Sequence, residues 1–344
     1  MKHRVDIPLE SLVDEVASLR EIPWERLRVT GIDGGPAPEW ISRNLRILSQ
    51  VASVNDHRFT WGRFSELERV GAGASGEVFR TLDPDSGQRI ALKLFHPAQH
   101  NPARVAPDRL DEARRLQRVE SRAVARVYGA GAHDDRVGLW MEWVDGRSCD
   151  QVVSAEGPFS TEDALRILTA VCGAVTQLHR VGLVFREIRP SNVMLAPDGR
   201  VVFLDAGGCE TFNSHHLEKL APLHRYTAPE VMLGAAPTAR SDVFALAGLF
   251  NFLRTANHPY AADEVADLVV GYRERRRPSP CLELPAAVGE VLQRALSPEP
   301  GDRPPDPALL AEQLSTASVS ETAGAPRRDE TTGWVRWIWR RWFD

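Results

Sequence analysis

Apolar positions recur at helical spacing twice in the first 58 residues, at Leu9, Leu12, Val13, Val16 and Leu19 and again at Trp40, Ile41, Leu45, Ile47, Leu48 and Val51. The pattern predicts two helices there, separated by the chain-breaking run Gly34-Gly35-Pro36-Ala37-Pro38. From Phe64 to Phe95 the period shortens. Short β-rich runs punctuated by Gly71, Gly73, Gly76 and the turn-forming Asp83-Pro84-Asp85-Ser86-Gly87 predict an antiparallel meander. Helical spacing resumes at Leu110, Ala113 and Leu116, and a β-like run from Val137 to Val144 stops at Asp145-Gly146. The chain is then mostly helical, with a β-like interruption from Val193 to Leu204.

Two terminal stretches break this pattern. Residues 315–333 mix Ser, Thr, Ala and charge without apolar periodicity and read as a flexible linker. In residues 334–344 a helix would gather Arg336 and Arg340 on one side and Trp334, Ile338 and Trp342 on another. The expected division is therefore an N-terminal helical segment over 1–58, a main domain over 59–314, the linker, and a Trp/Arg-rich amphipathic tail over 334–344. The N-terminal segment has no evident core of its own, so it is expected to pack on the main domain or on a partner, or to serve only as a support.

Composition narrows the class. The 344 residues are 43% hydrophobic and 26% charged, with a net charge of −5, which describes a soluble globular protein without the basic bias of a nucleic-acid binder. Cys149, Cys172, Cys209 and Cys281 lie far apart, so they form neither a zinc signature nor a disulfide framework, and a cytoplasmic location is expected. The charged N-terminus lacks the apolar run of a signal peptide, and no stretch of about 18 apolar residues occurs to span a membrane. The tail mixes four Trp with Arg336, Arg340 and Arg341. That mixture suits the boundary between lipid headgroups and acyl chains, giving peripheral contact at the inner face of the membrane. Docking of its Trp face into a groove of this chain or of a partner is the alternative.

The candidate chemistry lies in the main domain. Gly71-Ala72-Gly73-Ala74-Ser75-Gly76-Glu77-Val78 falls between two predicted strands, where the glycines let a hairpin backbone close over phosphates. The next strand, Ile90-Ala91-Leu92-Lys93, sets a lysine in an apolar run, where the charge needs an anion. Glu112, on the following helix, is the candidate partner that would hold Lys93 toward a nucleotide's phosphates. Further on, Phe185-Arg186-Glu187-Ile188-Arg189-Pro190-Ser191-Asn192 is followed by Val202-Phe203-Leu204-Asp205-Ala206-Gly207. Asn192 and Asp205 supply hard oxygen ligands of the kind Mg²⁺ prefers.

In order and spacing these segments resemble the signature set of protein kinases. Ala228-Pro229-Glu230, Ser241-Asp242 and Asp302-Arg303-Pro304 agree as later landmarks. The resemblance covers about residues 64–314 and is nearest in style to bacterial serine/threonine kinases, in which an upstream helical segment also occurs. It implies an α+β bilobal protein-kinase fold, with a small β-rich N-lobe carrying one regulatory helix and a larger, mainly helical C-lobe. It also implies ATP and Mg²⁺ as bound groups and a protein as substrate or partner. By that similarity Met141 is the gatekeeper and Glu142 to Val144 form a hinge that meets adenine through its backbone. Val78, Ala91 and Met194 would sandwich the ring, and Glu230 would pair with Arg303.

The sequence departs from the family where the acceptor hydroxyl is served. The family's His-Arg-Asp is Phe185-Arg186-Glu187 here, which makes the catalytic base one methylene longer. The lysine two positions later is Arg189, which keeps the charge and changes its geometry. The threonine that normally bridges base and lysine is Leu223, and Ala206 replaces the usual Phe after Asp205. A small-molecule phosphotransferase would share the phosphate-binding parts, but Ala228-Pro229-Glu230, Asp242 and Arg303 favour the protein-kinase branch, within which there are two functional readings. One is a serine/threonine protein kinase that transfers phosphate from ATP·Mg²⁺ through Glu187, Arg189 and Lys93. The other is a nucleotide-binding pseudokinase that acts as a scaffold or allosteric partner.

Overall fold

The computed structural model describes residues 5–8, 27–30, 60–73, 76–96, 102–134, 136–185, 188–204, 209–211, 226–258, 260, 271, 274 and 284–322. The chain divides into two compact units, Met1–Arg69 and Val70–Asp344. In the first, β1 (Val5–Pro8) pairs in parallel with β2 (Leu27–Thr30), Val5 opposite Leu27. These strands are not among the predicted elements of the N-terminal segment. Four residues are too few for a periodicity read over longer windows, and the two predicted helices lie outside the described residues. Trp61 and Phe64 close a small bridge by exchanging backbone hydrogen bonds of 3.0 Å, with their rings stacked 6.4 Å apart.

The meander is found. Strands β3 (Glu68–Gly73), β4 (Gly76–Leu82), β5 (Arg89–Phe95), β6 (Val127–His133) and β7 (Arg136–Glu142) form one sheet in the order β3-β4-β5-β7-β6. β4 and β5 are joined by the predicted turn, in which Gly87 adopts φ 67° and Asp83 N–H and C=O both bond across the loop ends. Between β5 and β6 runs the helix α1 (Pro102–Leu116), which packs on β6 and β7.

The remainder is mainly helical, as expected. It comprises α2 (Cys149–Glu156), α3 (Thr161–Arg180), α4 (Pro229–Met232), α5 (Ala239–Thr255), α6 (Ala286–Ala295) and α7 (Pro307–Thr322). Ser160 caps α3 by accepting from Asp163 N–H, and Thr238 caps α5 through a reciprocal pair with Ser241. From Ser241 to Asn251 every residue of α5 is buried. A helix enclosed all round forms the axis of this lobe, and α3, α6 and α7 pack against it. One continuous core joins Ala91, Leu139 and Met141 of the sheet to Leu168, Val175, Phe244, Phe250 and Leu314 of the helices. Cys149 and Cys172 are fully buried in it, and burial raises both thiols well above their usual range.

One boundary is corrected. The linker predicted from Ser315 begins no earlier than the end of α7 at Thr322. Leu314 and Ala317 are buried, and the hydroxyls of Thr316 and Ser318 bond back to the carbonyls of Glu312 and Leu314 at 3.0 and 2.8 Å. These hydroxyls satisfy themselves within the helix, so a Ser/Thr-rich composition continues it without an apolar stripe. The rest of the linker and the whole tail lie outside the described residues.

Candidate active site

Strand register places the nucleotide-site candidates together. Val78 stands opposite Lys93, Ala91 opposite Met141, and Lys93 opposite Leu139. Since directly opposed residues of an antiparallel pair share a face, Val78, Ala91, Lys93 and Met141 all lie on one side of the sheet. Phe95 lies there too. Lys93 is only 7% exposed, and its ammonium sits 5.5 Å from the Phe95 ring centroid. The same ring has the Arg109 guanidinium at 4.8 Å, and Arg109 donates to Glu112 Oε2 at 3.0 Å. Lys93, on β5, thus contacts the Phe95 ring directly, and Glu112, on α1, is linked to it through Arg109.

The three candidate phosphate-loop glycines differ in what constrains them. Gly76 begins β4, where a Cβ would come within 2.2 Å of the Leu94 carbonyl oxygen, so the close approach of the two strands requires glycine. At Gly71 a Cβ would meet nothing within 4 Å. Gly73 ends β3. Glu77 anchors the loop's exit by accepting from Arg136 Nη2 at 3.0 Å, and the same guanidinium donates to the Leu94 and Phe95 carbonyls. Arg136 was not a sequence candidate. It lies 59 positions from Glu77, and only the strand order 4-5-7 makes them neighbours.

After β7 the chain turns through Trp143, Val144 and Asp145. Val144 is buried in a small cluster with Ala125, Ala196 and Val202, against which Met194 packs. Among the described residues no backbone–backbone hydrogen bond engages Val144. Gly146 takes φ 148° and leads into the two-residue strand β8 (Arg147–Ser148), which pairs with β10 (Val193–Leu195), so close that a Cβ on Gly146 would lie 2.3 Å from Leu195 O.

Two short antiparallel strand pairs follow, and Asn192 immediately precedes one of them. β10 pairs with β11 (Val201–Phe203), Val193 opposite Phe203, and β9 (Leu183–Phe185) pairs with β12 (Cys209–Thr211), Phe185 opposite Cys209. Asn192, 7% exposed, closes a 3₁₀ turn begun at Pro190, and its carbonyl accepts from Leu204 N–H at 2.9 Å. Glu187 and Asp205 themselves lie outside the described residues. Their flanking backbones, Phe185 with Cys209 and Asn192 with Leu204, are nonetheless bound to one another. Arg189 Nε lies 3.5 Å from Asn192 Oδ1. The Asn192 amide oxygen is of the hard type a divalent cation such as Mg²⁺ accepts.

The later landmarks are engaged. Glu230 accepts two bonds of 2.8 Å from the Arg303 guanidinium, which also donates to Ser297, Pro298 and Arg240 carbonyls and lies 4.9 Å from the Phe244 centroid. Asp242, 1% exposed, meets His179 Nε2 at 2.6 Å. His179 too was absent from the sequence candidates, since a histidine at a helix end gives no local sign of a partner 63 positions away.

Residues 64–313 match the family model described as protein kinase domain. The chain is 28% identical over 267 residues to the serine/threonine-protein kinase PknK of Mycobacterium tuberculosis, an alignment covering 73% of this chain and 23% of that protein. It is also 24% identical over 249 residues to PrkC of Bacillus subtilis, with 70% and 38% covered. It spans under half the length of the curated relatives it matches. The solved kinase domain of Mycobacterium tuberculosis PknI is similar with a TM-score of 0.62 and 25% identity, covering 76% of this chain and 98% of that one. Among the described residues no helix is long and apolar enough to cross a membrane.

Proposed function

The chain belongs to the protein kinase family, and from that premise we propose that it is a serine/threonine protein kinase that moves the terminal phosphoryl group of ATP to a protein hydroxyl. The observation that carries the reading is the single sheet face on which Val78, Ala91, buried Lys93 and Met141 lie. In this reading the adenine lies between Val78 and Ala91 on one side and Met194 on the other, with backbone groups of Glu142 and Val144 along its edge. Gly71, Gly73 and Gly76 let the loop backbone approach the phosphates. Lys93, oriented by Glu112, neutralises them from the sheet. Asn192 and Asp205 would hold Mg²⁺, whose chemistry is to offset phosphate charge as the group transfers. Glu187 accepts the proton of the acceptor hydroxyl, and Arg189 supports the transferring phosphoryl group.

Phosphoryl transfer through a loose transition state relies on positioning and charge more than on covalent chemistry. A glutamate base with one more rotatable bond therefore slows the reaction without forbidding it. The test is transfer of radiolabelled phosphate from ATP·Mg²⁺ to the protein itself and to a generic basic protein, beside Lys93→Ala and Glu187→Ala. Transfer abolished by Lys93→Ala and reduced at least a hundredfold, as an order of magnitude, by Glu187→Ala supports the proposal. Nucleotide binding that requires Lys93, without any transfer by the unmodified chain, replaces it with the pseudokinase reading.

We further propose that the chain works in the cytoplasm and that residues 334–344 bring it to the inner membrane face through interfacial Trp and Arg. The support is compositional. Flotation of the full chain with anionic vesicles, lost when the last eleven residues are removed, is the expected result. Equal flotation of both forms assigns the Trp face to a protein groove instead.

A further inference from the structure

Glu142 uses its side chain as well as its backbone. It is the last residue of β7, and its N–H donates to the Arg126 carbonyl at 2.8 Å while its Oε2 accepts from the Arg126 amide at 3.3 Å. Its other oxygen accepts from Arg200 Nη1 at 3.0 Å. Arg200 lies in the turn between β10 and β11 and is fixed there by Asp198, which takes its Nε at 2.6 Å and its amide at 3.0 Å. The segment leading to Arg126 is itself tied to β11. Ala125 N–H donates to Phe203 O, and Phe203 N–H donates to Ala123 O, both at 2.9 Å.

These bonds close a circuit. The end of β7 reaches the C-lobe hairpin by two routes, one through Arg126 and Ala125 to Phe203 and one directly through Arg200. Both routes span the hinge, whose far end at Gly146 is also pressed against β10. The Glu142 and Arg200 side chains are 21% and 27% exposed, sheltered enough for the pair to carry energy and wet enough for salt to reach it. The neighbouring Arg89–Asp145 pair, 51% and 68% exposed at 3.4 Å, offers an internal contrast.

We propose that Arg200 is a positioning residue that, through Glu142, straps the end of the nucleotide-facing sheet to the C-lobe and limits how far the lobes open about residues 143–146. The strap stands on the geometry alone. Its consequence, slower escape of nucleotide, rests on the kinase reading above.

The two parts are tested separately on the full chain. Amide hydrogen exchange over residues 123–127 and 141–146 is expected to quicken roughly fivefold in Arg200→Met, the factor that corresponds to about 1 kcal/mol. Arg200→Lys should recover part of the loss, and Arg89→Met should exchange as the parent does. Raising salt from about 0.05 to 0.5 M should quicken exchange in the parent and not in Arg200→Met. Exchange unchanged in Arg200→Met overturns the strap. Should that variant fail to fold, salt-independent exchange in the parent overturns it equally. Release of a fluorescent ADP analogue followed by stopped flow should quicken by a similar factor in Arg200→Met. Unchanged release with quickened exchange removes the nucleotide consequence and leaves the strap. Failure of the parent to bind the analogue removes the nucleotide-site reading itself, while exchange still decides the strap.

Discussion

Gly71 lies in β3 and Gly76 begins β4, and a methyl group added to each meets different surroundings. At Gly76 it would strike the Leu94 carbonyl at 2.2 Å, whereas at Gly71 it meets open space. Gly76→Ala is therefore expected to lower stability by about 1–3 kcal/mol, because two backbones must separate. Gly71→Ala should leave the melting temperature unchanged or slightly raised and should weaken ATP affinity, if phosphates fill the space above it. Thermal melts and calorimetric titration distinguish the two, and a Gly71→Ala variant with parental affinity would remove that glycine from the nucleotide site. Arg303 presents the opposite case of a residue with every contact internal. Its guanidinium is shielded from water, and Glu230 is 17% exposed. Arg303→Met leaves a largely buried carboxylate without its counter-charge, with the Ser241 hydroxyl still donating to it at 3.0 Å, and should cost roughly 3 kcal/mol in denaturant unfolding.

At the scale of elements, the sequence was readable where period and chain breakers agree. The meander, the turn at Asp83–Gly87 and the buried helix from Ser241 follow from local pattern, and the structure has them. The sheet face shared by Val78, Ala91, Lys93 and Met141 was implied by residue type but fixed only by strand register. Arg136, His179 and Arg200 escaped, because each acts on a residue about 60 positions away and carries no local sign of it. The C-terminal boundary failed for a different reason. A Ser/Thr-rich helix that satisfies its own hydroxyls lacks the stripe by which helices are recognised. Ala317 separates the two descriptions of that segment. In a linker proline there is harmless, but in the interior of α7 it removes a backbone hydrogen bond and clashes with the preceding turn. Ala317→Pro should lower stability by about 3 kcal/mol, and urea unfolding monitored by circular dichroism measures it.

For the molecule as a whole, pH dependence offers a check that does not depend on catalysis. Tyr260 follows α5 and is 8% exposed, and its hydroxyl donates to the Leu296 carbonyl at 3.2 Å, where α6 ends. It therefore joins two helices of the C-lobe core. Burial pushes its phenol up to about 12, although the nearby Arg303 charge pulls the other way. A phenol whose folded pKa exceeds its unfolded value near 10 contributes stability that is fully present below pH 10 and declines as pH rises toward 12, since only the unfolded chain ionises in that window. The contribution at stake is at most about 3 kcal/mol, the size that a two-unit shift sets. Tyr260→Phe forfeits the bond to Leu296, roughly 1 kcal/mol at neutral pH, but it has no proton to lose. Parent and variant stability curves should therefore close and then cross between pH 10 and 12, the parent falling more steeply. Parallel curves over that range would mean that Tyr260 ionises as readily in the folded chain as in the unfolded one. The junction between α5 and α6 would then have to admit water that this packing excludes.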